Sequence, residues 1–239
     1  MVLQMAGDTT MGGSKRGFQP TLWTVVLKAK DHSRDALEEL IKIYWKPVYV
    51  YIRRWGYPSE EAKDLSQGFF SELLERDFLR GVSPEKGRFR TFLLTVLKRY
   101  LINESERKRA QKRGGGKAVL SLDYTRAERD FTIMPTSDET PERSFNRQWA
   151  LEAMSRALRA LAKELEPETF EAIKPHLAGG PAYEATAKKL KISVTRLNNL
   201  IHRTRKRYRD LLRAEVAGSL DDPTEADEEV RNLLDAVKS

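Results

Sequence analysis

Residues 183–208 read YEATAKKLKISVTRLNNLIHRTRKRY, and the apolar positions of this stretch decide the fold. Ala187, Leu190, Ile192, Leu197 and Ile201 are spaced to face one way from two helices, a short one before the turn Lys191-Ile192-Ser193 and a longer one from Val194. That is the layout of a helix-turn-helix. Its other face then carries Thr195, Arg196, Asn198, Asn199, His202 and Arg203. Arginine pairs bidentately with guanine and asparagine with adenine, so a DNA major groove suits these residue types. An ordinary helical hairpin with a solvated basic face has the same pattern. The adjoining run Arg203, Arg205, Lys206, Arg207 and Arg209 favours DNA, because phosphate contacts gather beside base-reading ones.

Working outward, the helical period continues in both directions. Downstream, Tyr208 and Leu211 extend the second helix, and an acidic C-terminal helix follows with Val230, Leu233, Leu234 and Val237 on its apolar face. Upstream, Thr140-Pro141 is a cap followed by proline at the first helical position. Phe145, Trp149, Ala153, Ala157, Leu158, Leu161 and Leu165 then form an inward face. Shorter helical patterns surround Phe170, Ile173 and Leu177. Before Thr140 the pattern lapses: Gln111-Lys112-Arg113-Gly114-Gly115-Gly116 opens a stretch with Pro135 and little to form a core.

The N-terminal half is a second helical group. Leu22, Val25 and Val26 suit a short helix capped by Thr21. Leu37, Leu40, Ile41, Tyr44, Val48, Tyr51, Ile52 and Trp55 make one long stripe, with Pro47 expected to kink it and Gly56 to end it. Ser59 is placed to cap a helix bearing Ala62, Leu65, Phe69 and Leu73. After a turn at 81–87, Phe89, Phe92, Leu93, Val96, Leu97 and Tyr100 mark a further helix. The expected fold class is therefore all-α, with two small helical domains joined by a flexible linker and the second a helix-turn-helix domain. The boundaries fall at 1–17 (a disordered lead-in), 18–110, 111–139 (linker), 140–214 and 215–239 (an acidic C-terminal extension). Met1, Met5 and Met11 are equal candidates for the start.

Composition narrows the function. A formal net charge of +8 favours polyanionic partners, since each Lys or Arg on a phosphate releases condensed counterions. The charge is segregated: Arg107, Lys108, Arg109, Lys112, Arg113 and Lys117 are basic, whereas Asp221, Asp222, Glu225, Asp227, Glu228 and Glu229 reverse the sign. This reversal suggests a tail that lies over residues 203–209 and mimics phosphates; a solvated helical extension explains it equally well. The chain has no cysteine, which excludes disulfides and thiolate sites, and three scattered histidines with no metal-ligand spacing. Neither a phosphate loop, HExxH nor a Ser-His-Asp context is present, so no catalytic residue, metal or cofactor is expected. No apolar run could span a bilayer and no secretory signal is apparent, so the expected location is the cytoplasm, without membrane insertion.

Three stretches together resemble the extracytoplasmic-function (ECF) group of bacterial sigma factors, in a subgroup with a C-terminal extension. Glu61-Ala62-Lys63-Asp64-Leu65-Ser66-Gln67-Gly68-Phe69-Phe70 is similar to that family's Asp-Leu-x-Gln-x-x-Phe signature. Pro84-Glu85-Lys86-Gly87-Arg88-Phe89-Arg90-Thr91-Phe92-Leu93 is similar to its Pro-Glu-x-Gly-x-Phe-x-x-Trp-Leu turn, with Phe92 where Trp is common. The third is Tyr183-Glu184-x-x-Ala187 through His202-Arg203, where Lys191 stands at a turn position often held by glycine. That turn must be built without left-handed help or at some cost.

The resemblance implies a non-enzymatic role: directing RNA polymerase core to specific promoters by recognising minus-ten and minus-thirty-five elements. By position, region two (18–110) would dock the β′ clamp helices through Asp64, Gln67, Phe70, Glu72 and Leu73. Arg88, Arg90, Lys98, Arg99, Asn103 and Arg107 would meet the minus-ten element. Region four (140–214) would read the minus-thirty-five element with Arg196, Asn198, Asn199, His202 and Arg203, with Arg205 and Arg207 beside them on the backbone. The implied partners are promoter DNA and polymerase core, with its β′ and β subunits. Whether an anti-sigma protein or the acidic tail holds the factor inactive stays open. A stand-alone helix-turn-helix regulator is the alternative; it would not need the Asp64 signature and would usually dimerise on a palindrome.

Overall fold

The computed structural model describes residues 22–75, 78–110, 122–132, 139–177, 179–180, 182–220 and 222–238. The lead-in 1–17, the Thr21 cap, the basic and glycine run 111–117 and Pro135 lie outside the described residues. Among the described residues the only regular structure is helical. The α-helices are α1 (Leu22–Lys30), α2 (Arg34–Arg54), α3 (Ser59–Glu75), α4 (Phe89–Ala110), α5 (Tyr124–Thr132), α6 (Pro141–Ala162), α7 (Pro167–Leu177), α8 (Tyr183–Lys189), α9 (Val194–Ala217) and α10 (Ala226–Lys238). The chain is all-α, as its periodicity predicts.

α2 is the axis of the larger core. Instead of one apolar stripe, Ile43 to Ile52 are buried without a break, because α1, α3, α5 and α6 surround the helix. Helical structure continues through Pro47. Rings connect the layers: Trp23 meets Phe89, Phe89 meets Tyr44, and Tyr44 stacks on Phe145, with centroids 6.1, 5.4 and 6.5 Å apart. These contacts join α1, α4, α2 and α6.

The packing differs from two separate helical groups in a specific way. α6 lies against α2, and its Phe145, Trp149, Ala150, Ala153 and Ala157 belong to the same continuous core. The end of α9 (Leu212, Val216), Leu220 and α10 (Ala226, Leu233) join it as well. Only Ile173, Ala187, Leu197 and Ile201, from α7, α8 and the start of α9, form a second, small cluster. Hence α6 is shared architecture, and the helix-turn-helix projects from it.

Part of the stretch expected as linker is also ordered. α5 buries Tyr124 and Ala127, one helical turn apart, and Tyr124 packs its ring on Trp45 and Tyr49 of α2. Arg53 of α2 donates from Nε and Nη2 to the two Glu128 carboxylate oxygens at 3.0 and 2.7 Å. Lys46, buried on α2, reaches Glu152 of α6 at 2.8 Å and Asp130 of α5 at 3.5 Å. A buried ammonium needs such partners, so these ion pairs set the register of α5 and α6 on α2.

Candidate nucleic-acid interface

The turn between α8 and α9 explains how α9 starts where it does. Ile192 N–H donates to Ala187 C=O, and Leu190 N–H to Thr186 C=O, closing α8. Lys191 then takes φ +53°, the left-handed region that favours glycine, so the turn is made at a steric cost. Ser193 caps α9 by accepting from Arg196 N–H at 3.2 Å. At the other end of α8, a Cβ on Gly180 would sit 2.5 Å from the Pro175 carbonyl oxygen, so only glycine allows the chain to pass this close to α7.

With Leu197, Ile201 and Thr204 buried, the first turns of α9 present Thr195, Arg196, Asn198, Asn199, His202 and Arg203 to solvent. The five proposed base-reading residues are thus together on one exposed face. The two cations farther along have other work. Arg205 donates from Nε and Nη2 to the main-chain carbonyl of His176, at 3.1 and 2.5 Å, closing the C-terminus of α7. In this fold the Arg205 guanidinium is a tie between α9 and α7, a role its place in the basic run does not signal. Arg207 grips Glu164 with two bonds of 2.8 and 2.6 Å, and those bonds, against the cost of burial, raise its pKa. Lys206 and Arg209, omitted from the expected site, are exposed.

α4 supplies a second polar face. Lys98, Arg99, Asn103 and Arg107 are exposed, the last three at successive four-residue steps, although Arg107 also bonds Glu104 at 2.9 Å. Arg88 and Arg90, expected with them, are engaged elsewhere. Arg90 is 9% exposed, lies over the Trp149 ring at 4.9 Å and bonds the Glu229 carboxylate. Arg88 is 2.7 Å from the other Glu229 oxygen and 3.6 Å from Glu225. The acidic tail therefore does not lie over residues 203–209. It packs on α6 and the end of α9 and puts Glu229 on Arg88, just ahead of α4, and on Arg90 in its first turn. Ala226, Glu229 and Leu233 recur at helical spacing, so the sequence does carry a sign that Glu229 faces inward.

On α3, Asp64 is exposed and Gln67 and Glu72 are half-buried. Phe70 and Leu73, expected to dock a partner, are instead in the core at 0% and 3% exposure. Phe70 meets Phe69 edge to face, and Phe69 meets Tyr100 of α4, so this side of α3 is committed to packing.

An all-helical protein with arginines and asparagines exposed together on α9, and a second basic helix face on α4, is of a class suited to a polyanionic partner. Residues 59–236 match a family model described as ECF sigma factor, a span that runs into α10. The chain belongs to the ECF sigma factor family, whose members direct RNA polymerase to promoters. It is 24% identical over 174 residues to RNA polymerase sigma factor YlaC of Bacillus subtilis (strain 168), covering 72% of this chain and 89% of that one. No solved structure gives a significant match. Among the described residues, no helix is long and apolar enough to cross a membrane.

Proposed function

We propose that this chain recruits polymerase core through the exposed surface of α3 around Asp64, Gln67 and Glu72, with the β′ clamp as the docking site. α4 meets the minus-ten element with Lys98, Arg99, Asn103 and Arg107, and Arg88 joins them when it is free. α9 reads the minus-thirty-five element with Arg196, Asn198, Asn199, His202 and Arg203. The role is one of binding, with no reaction of its own, and is carried out in the cytoplasm.

The observation that carries this reading is the start of α9. Five side chains able to hydrogen-bond base edges are exposed together, on a helix whose opposite side is buried and whose N-terminus is capped. A solvated helix face has no need of two adjacent asparagines beside arginines.

The test is in vitro transcription on genomic DNA by core polymerase with and without the protein, followed by start-site mapping. Start sites that require the protein and share upstream elements are expected. Tight, sequence-specific duplex binding by a dimer without polymerase, and no initiation with it, would establish the stand-alone regulator in its place.

A further inference from the structure

Glu229 is the one acidic side chain in the buried set among the described residues. It lies on the inward face of α10 between Ala226 and Leu233, positions that fill the core. A helix that served only to complete this core could carry an aliphatic residue there, since apolar replacement of a buried ion pair is often neutral or stabilising. Instead the carboxylate meets two guanidiniums, and they differ. Arg90 is buried and stacked on Trp149, a fixed anchor. Arg88 keeps 34% of its side chain exposed, and its second acidic neighbour, Glu225, is 52% exposed. Further contacts seat α10 at both ends: Arg213 donates to Asp227 at 2.8 Å, and Arg147 to the Val237 carbonyl at 3.3 Å.

We infer that α10 is a built-in competitor for DNA: anchored by Arg90, Glu229 holds the Arg88 guanidinium as a phosphate would, with Glu225 assisting. Arg88 then reaches nucleic acid only when it exchanges the carboxylates for a phosphate oxygen. Arg88 Nη1 faces one Glu229 oxygen and Nη2 one Glu225 oxygen, two anionic oxygens that a single phosphate could replace at the guanidinium fork. This inference rests on the reading that Arg88 faces promoter DNA.

The experiment measures binding of the full chain to a fluorescein-labelled single-stranded oligonucleotide of mixed sequence, at low and high salt. Glu229→Gln is expected to bind about fivefold tighter at low salt, the scale of one partly exposed ion pair, with the gain shrinking at high salt. Adding Arg88→Gln to that variant should abolish the gain. Glu228→Gln removes the same charge from an exposed position on the same helix and should change affinity less than twofold. An equal gain from Glu228→Gln would overturn the inference, because net charge alone would explain it. If Glu229→Gln leaves affinity unchanged while Arg88→Gln weakens binding equally in both backgrounds, Arg88 meets DNA but Glu229 does not screen it. The inference then fails and the reading stands. If Arg88→Gln has no effect in either background, the placement of Arg88 on DNA fails, and the inference with it. Should Glu229→Gln lose helical content, the exposed Glu225→Gln carries the test with a smaller gain, and no gain there would overturn the inference.

Discussion

The Arg205 guanidinium donates two hydrogen bonds to the main-chain carbonyl of His176, bridging 29 residues of sequence. The last carbonyls of a helix have no partner within it, and a cation there is doubly favourable. His176 is itself fully buried, with Nε2 sharing a 2.8 Å hydrogen bond with Thr186 Oγ1. One residue thus links α7, α8 and α9. Arg205→Ala should destabilise the small helix-turn-helix cluster by about 1–3 kcal/mol, the cost of a lost charged hydrogen bond and an orphaned carbonyl. Faster amide exchange in α7 and α8, with sequence preference retained in whatever promoter binding remains, is the expected signature. Unchanged exchange with a shallower salt dependence would return Arg205 to the DNA backbone.

Lys191 is the converse case, a residue that costs stability. Its φ of +53° strains an L side chain, and its side chain is exposed. Lys191→Gly should therefore raise the stability of the helix-turn-helix by about 0.5–1 kcal/mol, after allowing for glycine's greater freedom when unfolded. A thermal melt that falls on this substitution would mean that the lysine side chain contributes something the turn geometry does not reveal.

Much of this was legible from spacing. Thr140 does cap α6, accepting from Arg143 N–H at 3.2 Å, and Ser193 caps α9. Periodicity identifies which positions face inward but not which helix they face, so the sharing of α6 between α2 and α9 was not readable. Nor was α5, a nine-residue helix whose order depends on Tyr124 packing and on Arg53, seventy-five positions from Glu128. The site residues fared similarly. Arg196 to Arg203 follow from local helix geometry, whereas Phe70, Leu73, Arg90 and Arg205 are decided by distant neighbours. A charge in a basic run and a charge that closes another helix look alike in one dimension.

The α2–α5 contact should respond to acid. Burial works to raise the Glu128 pKa, but hydrogen bonds from Arg53 and Tyr49 and the charge of Arg53 outweigh it, so the folded value is lowered. A depressed carboxylate contributes stability that is complete above its unfolded pKa and lost as pH falls through the folded one. The melting temperature of Glu128→Gln should thus lie below that of the parent at neutral pH. The gap should narrow once pH drops below about 4.3, the ordinary glutamate value. A gap independent of pH would mean the Arg53–Glu128 pair contributes through shape rather than charge.

Docking on polymerase separates two residues of the same signature. Asp64 is exposed, so Asp64→Arg should leave the melt unchanged while weakening core polymerase binding by about 2–5 kcal/mol if its carboxylate is paired at the interface. Leu73 is buried, and Leu73→Asp would place an unpaired charge in the core. That variant should lose cooperative unfolding, and its loss of polymerase binding would carry no information about the docking face. Parent-like affinity in folded Asp64→Arg would remove Asp64 from the interface.

Base reading and phosphate contact can be separated on α9. Asn198 is exposed and uncharged, so it adds little to counterion release and acts through hydrogen bonds alone. Asn198→Ala should cost about 1–3 kcal/mol on the preferred minus-thirty-five sequence and relax the preference there. Arg203 is exposed on the same face, and Arg203→Ala should make the salt slope shallower by about one unit across all promoters. Arg207 should do less than that, because a phosphate must first displace Glu164, which holds it by two hydrogen bonds. Glu164→Gln should accordingly strengthen binding at low salt and bring the effect of Arg207→Ala up toward that of Arg203→Ala. All four variants are compared as promoter binding by the assembled holoenzyme over a salt series. If Asn198→Ala weakened every promoter equally and left the preference intact, α9 would not lie with its first turns in the major groove. If Arg207→Ala already matched Arg203→Ala with Glu164 in place, the ion pair would not persist on DNA.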